Sequence, residues 1–263
     1  GFAEMHNYPQ RQEVTFTLFL FCLRQRFSFW KHNSMHLIRF FGYVVFLSLF
    51  APHAKAEDNF SKDQLVAWCI VPFDARKRGP AQRAEMLKRL GLKRVAYDWR
   101  AQHVKEFEEE ILQYKKHGLE FFAFWSVHDE AFRLFEKYKL QPQIWRTLPS
   151  PKADTQKARV EAAAKAMLPL VERTKKLGCK LGLYNHGGWG GEPANLVAVC
   201  QALHKQGHKN VGIVYNFHHG HGHVDDFKES LQAMKPYLLC LNLNGMSGKN
   251  QQFQKILPIG RGA

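Results

Sequence analysis

The chain has 263 residues, 45% of them hydrophobic, and 38 Lys and Arg against 23 Asp and Glu give it a formal charge of +15. That apolar share excludes an intrinsically disordered chain and supplies an ample core. The basic residues are spread through amphipathic segments (Lys88, Arg89, Lys93 and Arg94; Lys115 and Lys116; Arg173, Lys175 and Lys176), so the charge predicts a solvated basic surface and no nucleic-acid partner.

Residues 1–34 start at Gly1 and include an aromatic-rich run, Phe16 to Phe21, that leads into no foldable pattern; they read as an upstream or artefactual leader. From Met35, His36 and Arg39 precede an apolar stretch, Phe40 to Phe50, and a small-x-small site at Ala54-Lys55-Ala56. This is the pattern of a secretory signal peptide over residues 35–56. The stretch is short for a bilayer span, so the expectation is cleavage after Ala56, no stable membrane span afterwards, and a secreted or periplasmic protein.

Residues 57–263 alternate short apolar runs with helical periodicity. Strands are predicted at Leu65 to Val71, Arg94 to Asp98, Leu119 to Trp125, Gln143 to Thr147, Lys180 to Tyr184, Val211 to Asn216 and Tyr237 to Asn242. Helices are predicted at Pro80 to Leu90, Val104 to His117, Glu130 to Tyr138, Asp154 to Leu177, Pro193 to Gln206 and Asp225 to Lys235. Gly91, Gly118, Gly178 and Gly207 follow helix ends, where glycine takes the left-handed capping conformation at little cost. Cys69 and Cys240 fall inside predicted buried strands and act there as small apolar residues; no CxxC pair occurs, so a structural zinc site is not expected, and disulfide pairing stays open.

Repeated strand-helix alternation implies a parallel sheet wrapped by helices. Polar and aromatic residues gather at many strand exits: Asp74, Asp98-Trp99-Arg100, Trp125 and His128, the Asn185 to Glu192 turn, the Asn216 to His223 turn, and Asn242-Leu243-Asn244. A doubly wound sheet would concentrate such groups at one switch point, so the predicted fold class is α/β, a (β/α)8 TIM barrel. Seven strands do not close it, and the run from Ile256 to Ala263 ends without a further helix and strand, so the barrel reads as C-terminally truncated.

Two glycine-rich turns carry the candidate chemistry. His186 and His219, on neighbouring strand exits, are the general acid/base candidates, because imidazole moves protons near neutrality; the alternative is neutral rings bonded to rim backbone. Asn185, Asn216, Asn242 and Asn244 offer paired donors and acceptors that match vicinal hydroxyls, and His218 joins them as a substrate contact. Trp189, in a glycine turn, is read as the ring that covers a sugar, whereas Trp125 is read as core. Glu192 precedes Pro193 and serves either a helix dipole or proton transfer. Asp98 and Arg100 either bind hydroxyls or pair with each other, and His221 and His223 read as exposed loop residues.

The segments Val71-Pro72-Phe73-Asp74, Ala96-Tyr97-Asp98-Trp99-Arg100 with His103, Ala123-Phe124-Trp125, Tyr184-Asn185-His186-Gly187-Gly188-Trp189, Tyr215-Asn216-Phe217-His218-His219 and Leu257-Pro258-Ile259-Gly260-Arg261-Gly262 resemble the xylose-isomerase-like TIM-barrel superfamily, which includes sugar phosphate isomerases and epimerases. The likeness is greatest to its secreted bacterial branch. The resemblance implies a sugar or sugar derivative as partner. It also implies a divalent metal held by a glutamate after the fifth strand, an aspartate after the sixth, a histidine near the seventh and a glutamate after the eighth. By position these fall on Tyr184, on Asn216, and on Asn242 or Asn244, with the last beyond Ala263; an Asp-x-x-His pattern becomes Asn216-Phe217-His218-His219. A phenol and an amide in place of carboxylates remove the charge that offsets dehydration of a hard ion, so no cofactor is assigned. His219 and His221 remain candidate ligands for a softer divalent metal. The expected function is an isomerase or epimerase-like proton transfer on a sugar. The alternatives are a non-catalytic carbohydrate-binding barrel and a histidine-based metal-dependent hydrolase.

Overall fold

The computed structural model describes residues 60–248 and 256–262; the predicted leader and signal peptide lie outside them. Seven strands form one sheet in chain order: β1 (Val66–Trp68), β2 (Arg94–Asp98), β3 (Glu120–Trp125), β4 (Gln143–Thr147), β5 (Leu181–Tyr184), β6 (Val211–Asn216) and β7 (Leu238–Asn242). Every neighbouring pair is parallel. Each strand therefore lies beside the next one in sequence, with no reversal of order. That is the wall of a TIM barrel, with seven strands among the described residues, and it is not a doubly wound sheet.

The helices between the strands are α1 (Pro80–Leu90), α2 (Phe107–Lys116), α3 (Asp129–Tyr138), α4 (Gln156–Lys176), α5 (Pro193–Lys205) and α6 (Phe227–Met234). The four predicted glycine caps hold, with φ between 65 and 91° at Gly91, Gly118, Gly178 and Gly207. Among the described residues, no helix is long and apolar enough to cross a membrane.

Strand alternation sorts the side chains into two layers. Tyr97, Phe124, Ile144, Leu183, Ile213 and Tyr215 pack outward against Phe135, Ala163, Val171, Leu196, Val199 and Leu203 of the helices. Ala96, Ala123, Trp145, Tyr184 and Val214 form a separate inner cluster, joined by the partly buried Trp68, Trp125 and Cys240. Small residues alternate with large ones inside: a Cβ on Gly182 would collide with both Trp145 and Val214, so its missing side chain is the space the indole fills.

Three local expectations differ. The first strand ends at Trp68, because Cys69 adopts φ 60°, outside the extended region; Cys69 is thus a turn residue, and not the buried strand residue expected. The second helix starts as a 3₁₀ turn, Ala101–Glu106, before α2, and α6 stops at Met234, where a 3₁₀ turn containing Pro236 takes over. The residues past the seventh strand include a small antiparallel pair, β8 (Gly245–Met246) and β9 (Ile256–Leu257). The four cysteines among the described residues are free.

One buried ion pair ties α1 to α2. Arg83 Nε lies 3.1 and 3.2 Å from the two carboxylate oxygens of Glu110, and its Nη2 also meets Glu106 at 3.0 Å. Both Arg83 and Glu110 are buried, so removing one partner leaves an uncompensated charge. Glu110→Ala is expected to cost about 3 kcal/mol, the lower end for a broken buried pair because Glu106 remains. Urea unfolding reads the loss, and a change under about 1 kcal/mol, the range of an exposed pair, would contradict it.

Candidate active site

Parallel pairing brings the exits of β5 and β6 together, with Tyr184 in register with Val214. The first residue beyond β5, Asn185, is fully buried and reaches across to β6. Its Nδ2 donates to the Asn216 carbonyl at 2.9 Å, and its Oδ1 accepts from the Asn216 N–H at 2.6 Å. One side-chain amide thus satisfies both backbone groups of a single residue, groups that have little water to turn to.

Asn216 passes this constraint on. Its Oδ1 accepts from the His218 N–H at 3.0 Å and caps the 3₁₀ turn Phe217–His219, while its Nδ2 donates to the Tyr184 hydroxyl at 2.6 Å. The turn brings His219 beside His186, with ring centroids 4.3 Å apart, and His218 lies 4.6 Å from His219. After His186 the chain turns away through Gly187 and Gly188, whose φ values of 78 and 63° a side-chain-bearing residue rarely adopts. Burial, with two neighbouring imidazoles adding to it, pushes the His219 pKa down to about 4. At neutral pH its ring is an unprotonated base.

Beneath the histidines lies an aromatic surface. Tyr184 sits 4.5 Å from Trp125 and 5.8 Å from His219, and Trp125 lies 6.5 Å from His186 at an interplanar angle of 28°. Trp68 and Trp145, 5.0 Å apart, continue this surface into the barrel. Burial holds the Tyr184 phenol well above its usual range, against the opposing hydrogen bond from Asn216, so it stays protonated.

Trp125 packs against the inner cluster, in keeping with its reading as core, and the two tryptophans differ in their neighbours. Trp125 is the aromatic beside the histidines, whereas the Trp189 indole N–H donates to Gln156 at 2.9 Å and its ring lies 5.1 Å beneath the Arg159 guanidinium. Trp189 is tied to α4 by these contacts. The sequence reading named Tyr184 only as the position of a replaced metal ligand and Trp125 as core; each ends its strand and belongs with the inner cluster, and strand parity is the signal that places them beside the histidines.

The remaining candidates lie around this centre. Asp98 and Arg100 pair at 2.7 Å, and Arg100 also donates to the Trp99 carbonyl, which realises the ion-pair alternative. Burial still raises the Asp98 carboxyl despite that partner. Asn242 is the β7 register partner of Asn216 and makes no side-chain hydrogen bond among the described residues; Asn244 donates to the Gly245 carbonyl at 2.9 Å. His221 is only 4% exposed and bonds the Ser247 carbonyl at 2.8 Å, so the expectation of an exposed loop residue is corrected. Glu192 meets His223 Nε2 at 2.8 Å, and Asp226 meets His223 Nδ1 at 3.0 Å. A carboxylate–imidazole–carboxylate clamp thus joins the start of α5 to the loop before α6.

The positions where the resemblance places metal-binding carboxylates hold a protonated phenol and an amide that hydrogen-bond to each other. Neither supplies the anionic oxygen that a hard divalent ion requires, so these residues do not fit such an ion. Among the described residues, no three His, Cys, Asp or Glu side chains come together in an arrangement that could hold a metal.

No protein-family model matches the chain, and no curated protein matches it in sequence. Solved structures do match in fold. A probable 3-DHS dehydratase involved in petrobactin synthesis from Bacillus anthracis aligns with TM-score 0.54 at 14% identity, over 71% of this chain and 75% of its own. A xylose isomerase domain protein from Planctomyces limnophilus gives 0.52 at 10%, over 68% and 76%. A D-psicose 3-epimerase solved in the presence of D-fructose gives 0.50 at 12%, over 67% and 71%. These likenesses show the fold, an α/β TIM barrel.

The His223 clamp has a pH signature. Burial opposes charge on His223, but hydrogen bonds and charges from Asp226 and Glu192 outweigh it and raise the imidazole pKa. A raised folded pKa stabilises the fold fully below the unfolded value of about 6.5, and that contribution is lost as pH rises through the folded pKa. The stability difference between wild type and His223→Gln should therefore shrink as pH climbs from 6 to 9 in urea titrations. A difference that grows over that range would refute the clamp.

Proposed function

We propose that the protein is an isomerase or epimerase-type enzyme that moves a proton on a sugar or sugar derivative. The observation that carries this reading is the His186–His219 pair at adjacent strand exits, one ring held neutral at physiological pH beside a second. A neutral imidazole has the lone pair needed to take a proton from carbon next to a carbonyl, and a second imidazole within reach can return one. The partly exposed face of Trp125 suits the apolar face of a sugar ring. The fold likeness to a D-psicose 3-epimerase is in keeping with this class. Export to the periplasm or medium belongs to the same reading, supported by the signal-like pattern over residues 35–56.

The aromatic surface also favours a second reading, a barrel that binds sugars without changing them. One experiment separates the two. The full-length protein is incubated in D₂O with D-fructose, D-psicose or D-tagatose, and loss of the proton signal beside the carbonyl is followed by NMR. The enzyme reading expects exchange that falls at least about 100-fold in His219→Ala. Sugar binding by calorimetry with no exchange would favour the binding barrel, and equal exchange by wild type and His219→Ala would remove His219 from the chemistry.

A further inference from the structure

We infer that Tyr184 is a catalytic hydrogen-bond donor, whose phenol O–H holds the carbonyl oxygen of the substrate while His219 takes the proton from the adjacent carbon. The inference rests on the proton-transfer reading above and names a second chemical role within that site.

Its geometry starts with Asn216. The His218 N–H occupies the Asn216 amide oxygen, so the group facing Tyr184 is the amide nitrogen, and Asn216 must donate to the phenol oxygen at 2.6 Å. The phenol oxygen accepts that bond, and its own hydrogen has no acceptor among the described residues. Tyr184 is only 3% exposed and wedged between Trp125 and His219, so the ring has little freedom to turn away. Burial keeps the proton on the oxygen throughout the neutral range. A fixed, protonated donor therefore stands next to an unprotonated base.

Removing a proton beside a carbonyl makes both demands at once. The His219 lone pair takes the proton, the C–H bonding pair becomes the C=C bond, and the carbonyl π pair moves onto oxygen. A preoriented donor stabilises that developing charge more than it stabilises the ground-state carbonyl. A protonated His186 then returns a proton to carbon as the enolate pair restores the carbonyl, and passage of the proton from His219 to His186, 4.3 Å away between ring centroids, directly or through water, resets the pair, so the cycle balances without an oxidant, reductant or co-reactant. The Tyr184–Asn216 pair then supplies through a hydrogen bond the charge stabilisation that a metal would otherwise give.

The test compares full-length wild type with Tyr184→Phe in the D₂O exchange assay with D-fructose, D-psicose and D-tagatose. The expected result is a kcat lowered about 100- to 1000-fold with KM within about threefold, while the acid limb of the pH profile, set by His219, stays in place. Wild-type exchange matched by Tyr184→Phe would overturn the inference and leave the proton-transfer reading standing. Absence of exchange in wild type with all three sugars would overturn both. Because Phe leaves the Asn216 amide without its acceptor, a second variant carries fluorotyrosine at position 184, which keeps the ring and that contact. A rate that follows phenol acidity supports donation, and a rate indifferent to it overturns the role.

Discussion

The Asn185 side chain closing on both backbone groups of Asn216 is the contact from which the site is built. Two parallel strands leaving a barrel have backbone groups that no longer pair with a neighbour, and at a buried exit each unpaired group costs about 1–3 kcal/mol. A single amide, with one donor and one acceptor at the spacing of a peptide unit, meets both needs. Once Asn216 is fixed, its side chain is fixed as well, because one end caps the turn carrying His218 and His219 and the other holds the Tyr184 hydroxyl. A structural asparagine thus determines where the His219 turn and the Tyr184 hydroxyl lie.

The electrostatics follow the same layout. The centre is made of groups without net charge at neutral pH: a phenol held protonated and a His219 ring pushed down to about 4, bordered by an amide. Charged groups nearby are paired, Asp98 with Arg100 on one side and His223 between Glu192 and Asp226 on the other. A neutral, partly desolvated centre strengthens any hydrogen bond made inside it, since less water competes and the local dielectric is lower. It also explains why the residues present do not suit a hard cation.

Much of the barrel was legible in the sequence because its determinants are local. Runs such as Val211 to Asn216 and the glycine after each of four helices fix strands and helix ends through burial and backbone conformation, and these agree with the structure to within a residue or two. The first strand was overextended because apolar content continues to Val71, while the left-handed φ at Cys69 leaves no compositional mark on a cysteine. The site was legible in position more than in role. Chemistry and spacing singled out His186 and His219, whose rings the structure brings together, but Asn185 was read as a hydroxyl contact, since its bonds to Asn216 depend on a register between strands 31 residues apart. The neighbours of Trp189 and Trp125 were hidden for a similar reason. The partners Gln156 and Arg159 come from a distant helix, whereas the nearness of Trp125 to the histidines comes from strand parity and barrel curvature.

Everything proposed for the site depends on an unprotonated imidazole base at His219. NMR titration of ¹⁵N-histidine protein, with His219→Gln to assign the signal, measures this directly. The expected His219 pKa is about 4, well below the value of about 6.5 for an unperturbed imidazole. A value at or above 6.5 would contradict it.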